Sequence, residues 1–314
     1  MPTLSFTPRL GRRRRGSRAR DQQPCEPIEC TADERDGWAH QVALLLRQRG
    51  YARLRLPEQS MAHVLHHAQR FFANECARTQ LSSCEATYAS HTLPPAVLRV
   101  ATKADPRETC ELRPWASAFS SQFAGGEVDP MLAALGTAVQ HASTASDAVC
   151  GAILRELIRT CSDVEASNEL RALTLGGTSS NLNASVLRMH RYTADPEEPW
   201  HVPAHRDFGL LSLLPRSNVP ALEILVPEAD GSGCEWVRIE ELMAADELLI
   251  FAGSLMSHVD PSVPALVHRV SRAPRSSRNA TAEPERISAA YFVRTSSLAV
   301  LRVPYNGPPA FHEK

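Results

Sequence analysis

The sequence predicts a mixed α+β chain in which a helical N-terminal part leads into a β core of sandwich, jelly-roll or barrel type. Two observations carry this expectation. Apolar residues recur at helical spacing near the start and again along a proline-free stretch from Met131 to Thr160. After about residue 182 they fall instead into short Val-, Ile-, Leu- and Phe-rich segments separated by Pro, Gly, Asn and Asp. A length of 314 residues, with 43% hydrophobic and 22% charged residues, suits two modest domains or one large mixed one and excludes a mostly disordered or fibrous chain.

Residues 1–24 hold Arg, Ser, Gly and Pro with little to bury, and read as a disordered tail. The tail is Arg-rich and acid-poor, which suits an organelle or nuclear targeting segment or a plain solvated extension. Residues 25–125 form a helical N-terminal region. There Thr31 and Glu34 make a capping-box pattern ahead of Trp38, Val42, Leu45 and Leu46, and Gly50 stands where a left-handed cap ends the helix. Tyr51–Leu56 alternates as a strand, and Met61, Val64, Leu65, Phe71 and Phe72 mark a second amphipathic helix. Residues 126–180 supply supporting helices, either one long helix over Met131–Thr160 or two shorter ones. Residues 181–303 form the β core, with strands expected at 185–192, 209–214, 221–226, 235–239, 247–252, 266–270, 286–294 and 298–303. Residues 304–314 are a C-terminal tail.

Charge narrows the partners. Only Lys103 and Lys314 are lysines, against 32 arginines, seven of which lie in the first twenty residues, where no acid occurs. The remainder therefore carries a net charge of −8, a poor match for a general nucleic-acid binder. No run of roughly 18 apolar residues is present, so a membrane span is not expected. The arginine excess reads mainly as compositional background. Eight dispersed cysteines without a C-x-x-C pair look like reduced, mostly buried thiols, pointing to a reducing, cytoplasmic setting, or to an organelle or the nucleus if the Arg-rich start is a targeting segment.

Within the β core, His205 and Asp207 stand two apart, so on a strand both would leave one face, as two ligands to one metal require. His268 follows 61 residues later in the apolar segment ALVHRV, where an imidazole needs a partner. Arg286 and Ser288 form another i, i+2 pair, with one guanidinium and one hydroxyl. Two histidines and a carboxylate compose the facial triad that holds non-haem Fe(II) with positions left open. An Arg/Ser pair can clamp a carboxylate through charge-assisted hydrogen bonds. Together they point to a chelating keto acid bound to iron. His201 reads as a pocket-wall residue, because Pro203 between it and His205 argues against a helix that would align the two. His63, His66 and His67 read as the solvated face of the second amphipathic helix, His141 as a surface or boundary residue, and His258 as a pocket or surface residue.

These residues resemble the isopenicillin N synthase-like, 2-oxoglutarate- and Fe(II)-dependent dioxygenases. HRDFGLLSLL (205–214) is similar to that family's H-T-D-x-G-x-L-T-L-L, LVHRV (266–270) to its distal-histidine motif and RISAAYF (286–292) to its R-x-S strand. LRMHRY (187–192) resembles L-R-x-N-Y-Y, ADPRETCEL (104–112) echoes D-W-K-E-T-F, ALEI (221–224) looks like G-L-Q-V, and Trp236 falls where a tryptophan commonly follows. The resemblance covers roughly residues 26–300. It implies a double-stranded β-helix, with His205, Asp207 and His268 as iron ligands. Arg286 and Ser288 would bind the distal carboxylate of 2-oxoglutarate, Tyr192 would assist beside the cosubstrate, and Phe292 would line the substrate pocket. The cofactors implied are Fe(II), with 2-oxoglutarate and O2 as cosubstrates. The implied reaction is hydroxylation, desaturation or ring closure of a small organic molecule, with release of succinate and CO2. Halogenation is disfavoured because Asp207 is present.

The chain departs from the family pattern at His190 and Arg191, in the polar insertion of 271–285, and in a short C-terminus. Two alternatives stay open. One is an iron oxidase or synthase of the same superfamily that draws electrons from its substrate, and the other is an inactive ligand-binding relative. Oligomeric state is not readable.

Overall fold

The computed structural model describes residues 26–30, 37–56, 60–85, 96–102, 105, 107–114, 128–174, 185–192, 200–228, 233–272 and 285–295. Twelve strands appear among them: β1 (Ile28–Glu29), β2 (Tyr51–Arg55), β3 (Ala96–Arg99), β4 (Arg107–Leu112), β5 (Val186–Tyr192), β6 (Trp200–His205), β7 (Leu211–Pro215), β8 (Leu222–Pro227), β9 (Cys234–Arg238), β10 (Glu247–Ala252), β11 (His268–Ser271) and β12 (Arg286–Val293). They form an eight-stranded sheet, β1-β2-β10-β7-β12-β5-β4-β3, and a four-stranded sheet, β6-β11-β8-β9. This is the jelly-roll architecture expected from the sequence.

The helices are α1 (Trp38–Arg49), α2 (Ser60–Ala73), α3 (Glu75–Glu85), α4 (Pro130–Thr160), α5 (Val164–Thr174) and α6 (Ser254–Val259). None among the described residues is long and apolar enough to cross a membrane. Gly50 ends α1 with φ +80°, and its N–H donates to the Leu46 carbonyl at 2.8 Å. Glycine is required there twice over, because a Cβ would also lie 2.4 Å from the Pro264 carbonyl oxygen. The stretch Met131–Thr160 is one continuous helix, opened by Pro130 at its first turn and capped by Asp129, whose carboxylate accepts from the Met131 N–H at 2.8 Å.

Alternation along β12 divides the protein into two layers of core. Ile287, Ala289, Tyr291 and Val293 face the helices, joining Phe71 and Phe72 of α2 and Leu135, Val139 and Ile153 of α4 in the larger apolar cluster. Tyr291 also donates its hydroxyl to Asp147 of α4 at 2.5 Å. Arg286, Ser288, Ala290 and Phe292 point the other way, toward the four-stranded sheet. A second apolar cluster fills the inter-sheet space, including Tyr51, Tyr192, Ile224, Leu249, Phe251 and Val270.

The structure adds strands that the sequence pattern did not reveal. β3 and β4 extend the large sheet beyond β5, and β6 carries Pro203 and alternates poorly. β6 tolerates proline because it is the edge of the small sheet, where an N–H can be missing from the ladder. The Thr31–Glu34 pattern, segment 298–303 and both tails lie outside the described residues, as do residues 273–284 of the 271–285 insertion.

Candidate metal centre and cavity

His205, Asp207 and His268 come together, with one potential ligand atom from each lying within 4.8 Å of the others. Nε2 of each histidine is 3.8 Å from Asp207 Oδ1. The route to this cluster differs from the expected one. His205 is the last residue of β6, and Asp207 lies in the loop that follows, so the two do not share a strand face. The loop turns the carboxylate back. Asp207 accepts a hydrogen bond from the Ser212 hydroxyl at 2.5 Å, and the Asp207 and Phe208 carbonyls accept from the N–H groups of Ser254 and Leu255. Glycines permit the packing, since a Cβ on Gly253 would sit 2.2 Å from the Gly209 carbonyl oxygen and one on Gly209 would sit 2.6 Å from that of Val293.

His268 pairs directly with His205 across β11 and β6, and their ring centroids are 4.2 Å apart. Backbone carbonyls orient both rings. His205 Nδ1 lies 2.9 Å from the Pro203 oxygen and His268 Nδ1 lies 3.3 Å from that of Leu266. With Nδ1–H donating to these carbonyls, the Nε2 lone pairs face the shared space, as metal ligation requires. Burial, reinforced by His205 and opposed by Asp207, pushes the His268 imidazole down to about 4, so it is neutral and free to ligate near pH 7.

Arg286 lies deeper in the same space and is buried. Its Nη2 donates to both oxygens of Glu240 at 3.2 and 3.3 Å, and its Nε donates to the Val219 carbonyl at 3.1 Å. Nη1 is buried and has no hydrogen-bond partner among the described residues. Glu240 is itself fixed by the N–H groups of Ser217, Ala221 and Leu222 at 2.7–3.0 Å. Burial opposes its charge, but Arg286 and these amides outweigh burial and hold the carboxyl below its ordinary range. The Tyr192 hydroxyl is 3.2 Å from Ser288 Oγ, and the Arg286 guanidinium carbon stands 4.6 Å from the Tyr192 ring centroid.

One cavity of about 550 Å³ brings these groups together, lined by His205, Asp207, His268, Arg286, Ser288, Tyr192 and Phe292. All seven residues singled out from the sequence therefore face one space. Residues 183–295 match the family model of the 2OG-Fe(II) oxygenase superfamily. Over that segment the chain is similar to the 2OG-Fe(II) oxygenases. The match bears out the family resemblance read from the sequence motifs.

Solved structures of such oxygenases share the fold of the chain. The dioxygenase for auxin oxidation 1 from Arabidopsis thaliana, in its binary complex with 2-oxoglutarate, is 16% identical, with 86% of this chain and 93% of that one covered at a TM-score of 0.58. Neurospora crassa T7H in complex with alpha-KG is 18% identical, with 82% and 78% covered at 0.56. A Shewanella oneidensis protein described as an oxygenase is 19% identical, with 86% and 90% covered at 0.60. No curated protein matches the sequence.

The donor set fits the group that the resemblance implies. Two oriented imidazoles and one carboxylate suit ferrous iron, and a buried guanidinium N–H without a partner suits a carboxylate of the keto acid. Sequence reasoning missed Ser212, which orients Asp207, and Glu240, which anchors Arg286. Ser212 was detectable as the one polar residue in LLSLL. Glu240 was not, because in VRIEEL nothing separates it from Glu241, which is exposed. His201 is no ligand of the cluster. It is buried, and its ring centroid lies 5.3 Å from that of Tyr192. His63, His66, His141 and His258 are exposed, and His67 is half-buried.

Proposed function

We propose that this protein is an Fe(II)- and 2-oxoglutarate-dependent dioxygenase that oxidises a small organic substrate by hydroxylation, desaturation or ring closure. The observation that carries the reading is that the His205–Asp207–His268 cluster and the unpartnered Nη1 of buried Arg286 open into one cavity. Iron with the keto acid supplies an oxidant made from O2 as 2-oxoglutarate is decarboxylated to succinate.

The chain's own residues do the positioning. His205 and His268 present Nε2 because backbone carbonyls hold Nδ1, and Ser212 aims the Asp207 carboxylate. Glu240 fixes the plane of the Arg286 fork so that Nη1 donates to the distal carboxylate of 2-oxoglutarate, with the Ser288 and Tyr192 hydroxyls beside it. Apolar Val202, Leu214, Leu222 and Val270 line the cavity and limit water around the reacting groups.

Anaerobic titration of the protein with Fe(II) and then 2-oxoglutarate tests the reading. A metal-to-ligand charge-transfer band is expected in the wild type and not in His205→Ala or Asp207→Ala, with succinate formed once oxygen is admitted. Absence of the band in the wild type, or an equal band in either variant, would sink the proposal.

A further inference from the structure

The wall of the cavity toward β4 carries charge that the iron and keto-acid chemistry leaves unused. In the row Ala290–Arg188–Glu111 across β12, β5 and β4, Arg188 donates to Glu111 Oε2 at 2.6 Å, and Arg113 engages Oε1. Both oxygens of the one carboxylate are thus occupied. Arg294 lies two residues beyond the lining residue Phe292 and beside its ring, half-buried but not itself among the residues that line the cavity. Among the described residues no carboxylate lies within ion-pair distance of its guanidinium. Burial, then Arg188 and Arg113, lower its pKa against the pull of Glu111 and Asp207, which marks a charge held where it is incompletely balanced.

Both guanidiniums stand beside the same aromatic ring, with Arg188 Cζ 5.3 Å and Arg294 Cζ 6.0 Å from the Phe292 centroid. Outside the iron ligands and Arg286, the cavity is lined by four guanidiniums, those of Arg99, Arg107, Arg188 and Arg206, against the carboxylates of Asp105 and Glu111. Asp105 is already bonded twice to Arg107. Exposed Phe208 and Val100 add an apolar rim.

We infer that the substrate is an organic acid whose anionic group, a carboxylate or a phosphate, seats between Arg188 and Arg294 while its apolar body lies against Phe292. The inference rests on reading the cavity as an oxygenase substrate pocket. It supplies what Arg294 lacks, an oxyanion able to accept from a planar guanidinium fork.

Isothermal titration of the full-length protein, without metal or 2-oxoglutarate, tests it with phenylacetate, phenyl phosphate and neutral phenylacetamide. At least one anion should bind about tenfold more tightly than the amide. Arg294→Gln should abolish that preference and leave amide binding unchanged, whereas Arg294→Lys and Arg286→Gln should retain it. The relative affinity of the two anions decides between carboxylate and phosphate. No preference in the wild type, a preference that survives Arg294→Gln, or one lost only in Arg286→Gln would overturn the inference. So would a melting temperature of Arg294→Gln below that of the wild type, since that guanidinium would then be a structural prop. Failure of the iron reading appears separately, as the missing charge-transfer band, because these titrations need no metal.

Discussion

The two ends of the cavity each pair arginine with a buried glutamate, and they do so in opposite ways. At the deep end one guanidinium meets one carboxylate, and Glu240 also accepts three backbone N–H groups, which leaves Arg286 Nη1 without a partner among the described residues. At the outer end Glu111 is engaged by Arg188 and Arg113 and feels Arg294 as well, so positive charge is in excess. A closed network with one open donor among the described residues fits one fixed ligand, such as the keto acid proposed above. An open network with surplus charge fits a ligand chosen by the individual enzyme.

The largest test of that contrast acts at the deep end. Arg286→Gln should weaken 2-oxoglutarate binding by about a hundredfold, on the order of one charge-assisted hydrogen bond, while Fe(II) affinity stays within a few-fold. Titrating the charge-transfer band against 2-oxoglutarate measures both. Equal losses for metal and cosubstrate would erase the division between iron ligands and clamp. Glu240→Ala should unfold more easily by about 3–5 kcal/mol in denaturant melts, because it strands a buried guanidinium and three amides. A loss below about 1 kcal/mol would mean that Arg286 does not depend on its partner.

The same contrast explains what could be read in advance. His205, Asp207, His268, Arg286 and Ser288 stood out because of their i, i+2 pairing or their place in an apolar segment, and β12 around Arg286 and Ser288 alternates cleanly. His205 and Asp207 were paired for the wrong geometric reason. The strand ends at His205, and the carboxylate is returned by a turn that depends on Gly209 and Gly253, whose tight approach is a tertiary fact invisible to periodicity. β6 escaped notice because an edge strand has fewer constraints on its pattern and admits Pro203. β4 escaped because its inward residues, Arg107, Thr109 and Glu111, are polar, so a strand facing a charged cavity does not show the apolar alternation that marks a strand. The outer end was illegible for the same reason, since one arginine among 32 carries no signal until its neighbours are known.

A smaller effect is expected from Glu111→Gln. Burial opposes the charge of Glu111, but Arg188, Arg113 and Arg294 outweigh it, and the carboxyl sits below its ordinary range. A carboxyl depressed on folding stabilises the protein above its unfolded pKa of about 4, and that contribution is lost as pH falls through the folded value. The wild type should therefore lose stability on acidification more steeply than Glu111→Gln. At pH 7 the variant should be weaker by about 1–2 kcal/mol, less than at Glu240 because Arg188 is 28% exposed. Melting curves from pH 7 to 3 would show it, and parallel acid limbs would rule out Glu111 as a contributor.

The smallest effect should come from the row between the two ends. His190 lies beside Ser288 and Thr109 in register, and its Nδ1 is 2.9 Å from the Thr109 hydroxyl. Burial first, then Arg107, Arg188 and Arg286, push its imidazole well below the ordinary range, so it is neutral at physiological pH. His190→Asn keeps a neutral group able to bond Thr109 and removes only part of the ring's volume, a loss of about 1 kcal/mol. Its 2-oxoglutarate affinity should stay within about threefold of the wild type. A larger drop, read from the same charge-transfer titration, would make His190 part of the clamp and move the boundary between the two ends outward by one row of the sheet.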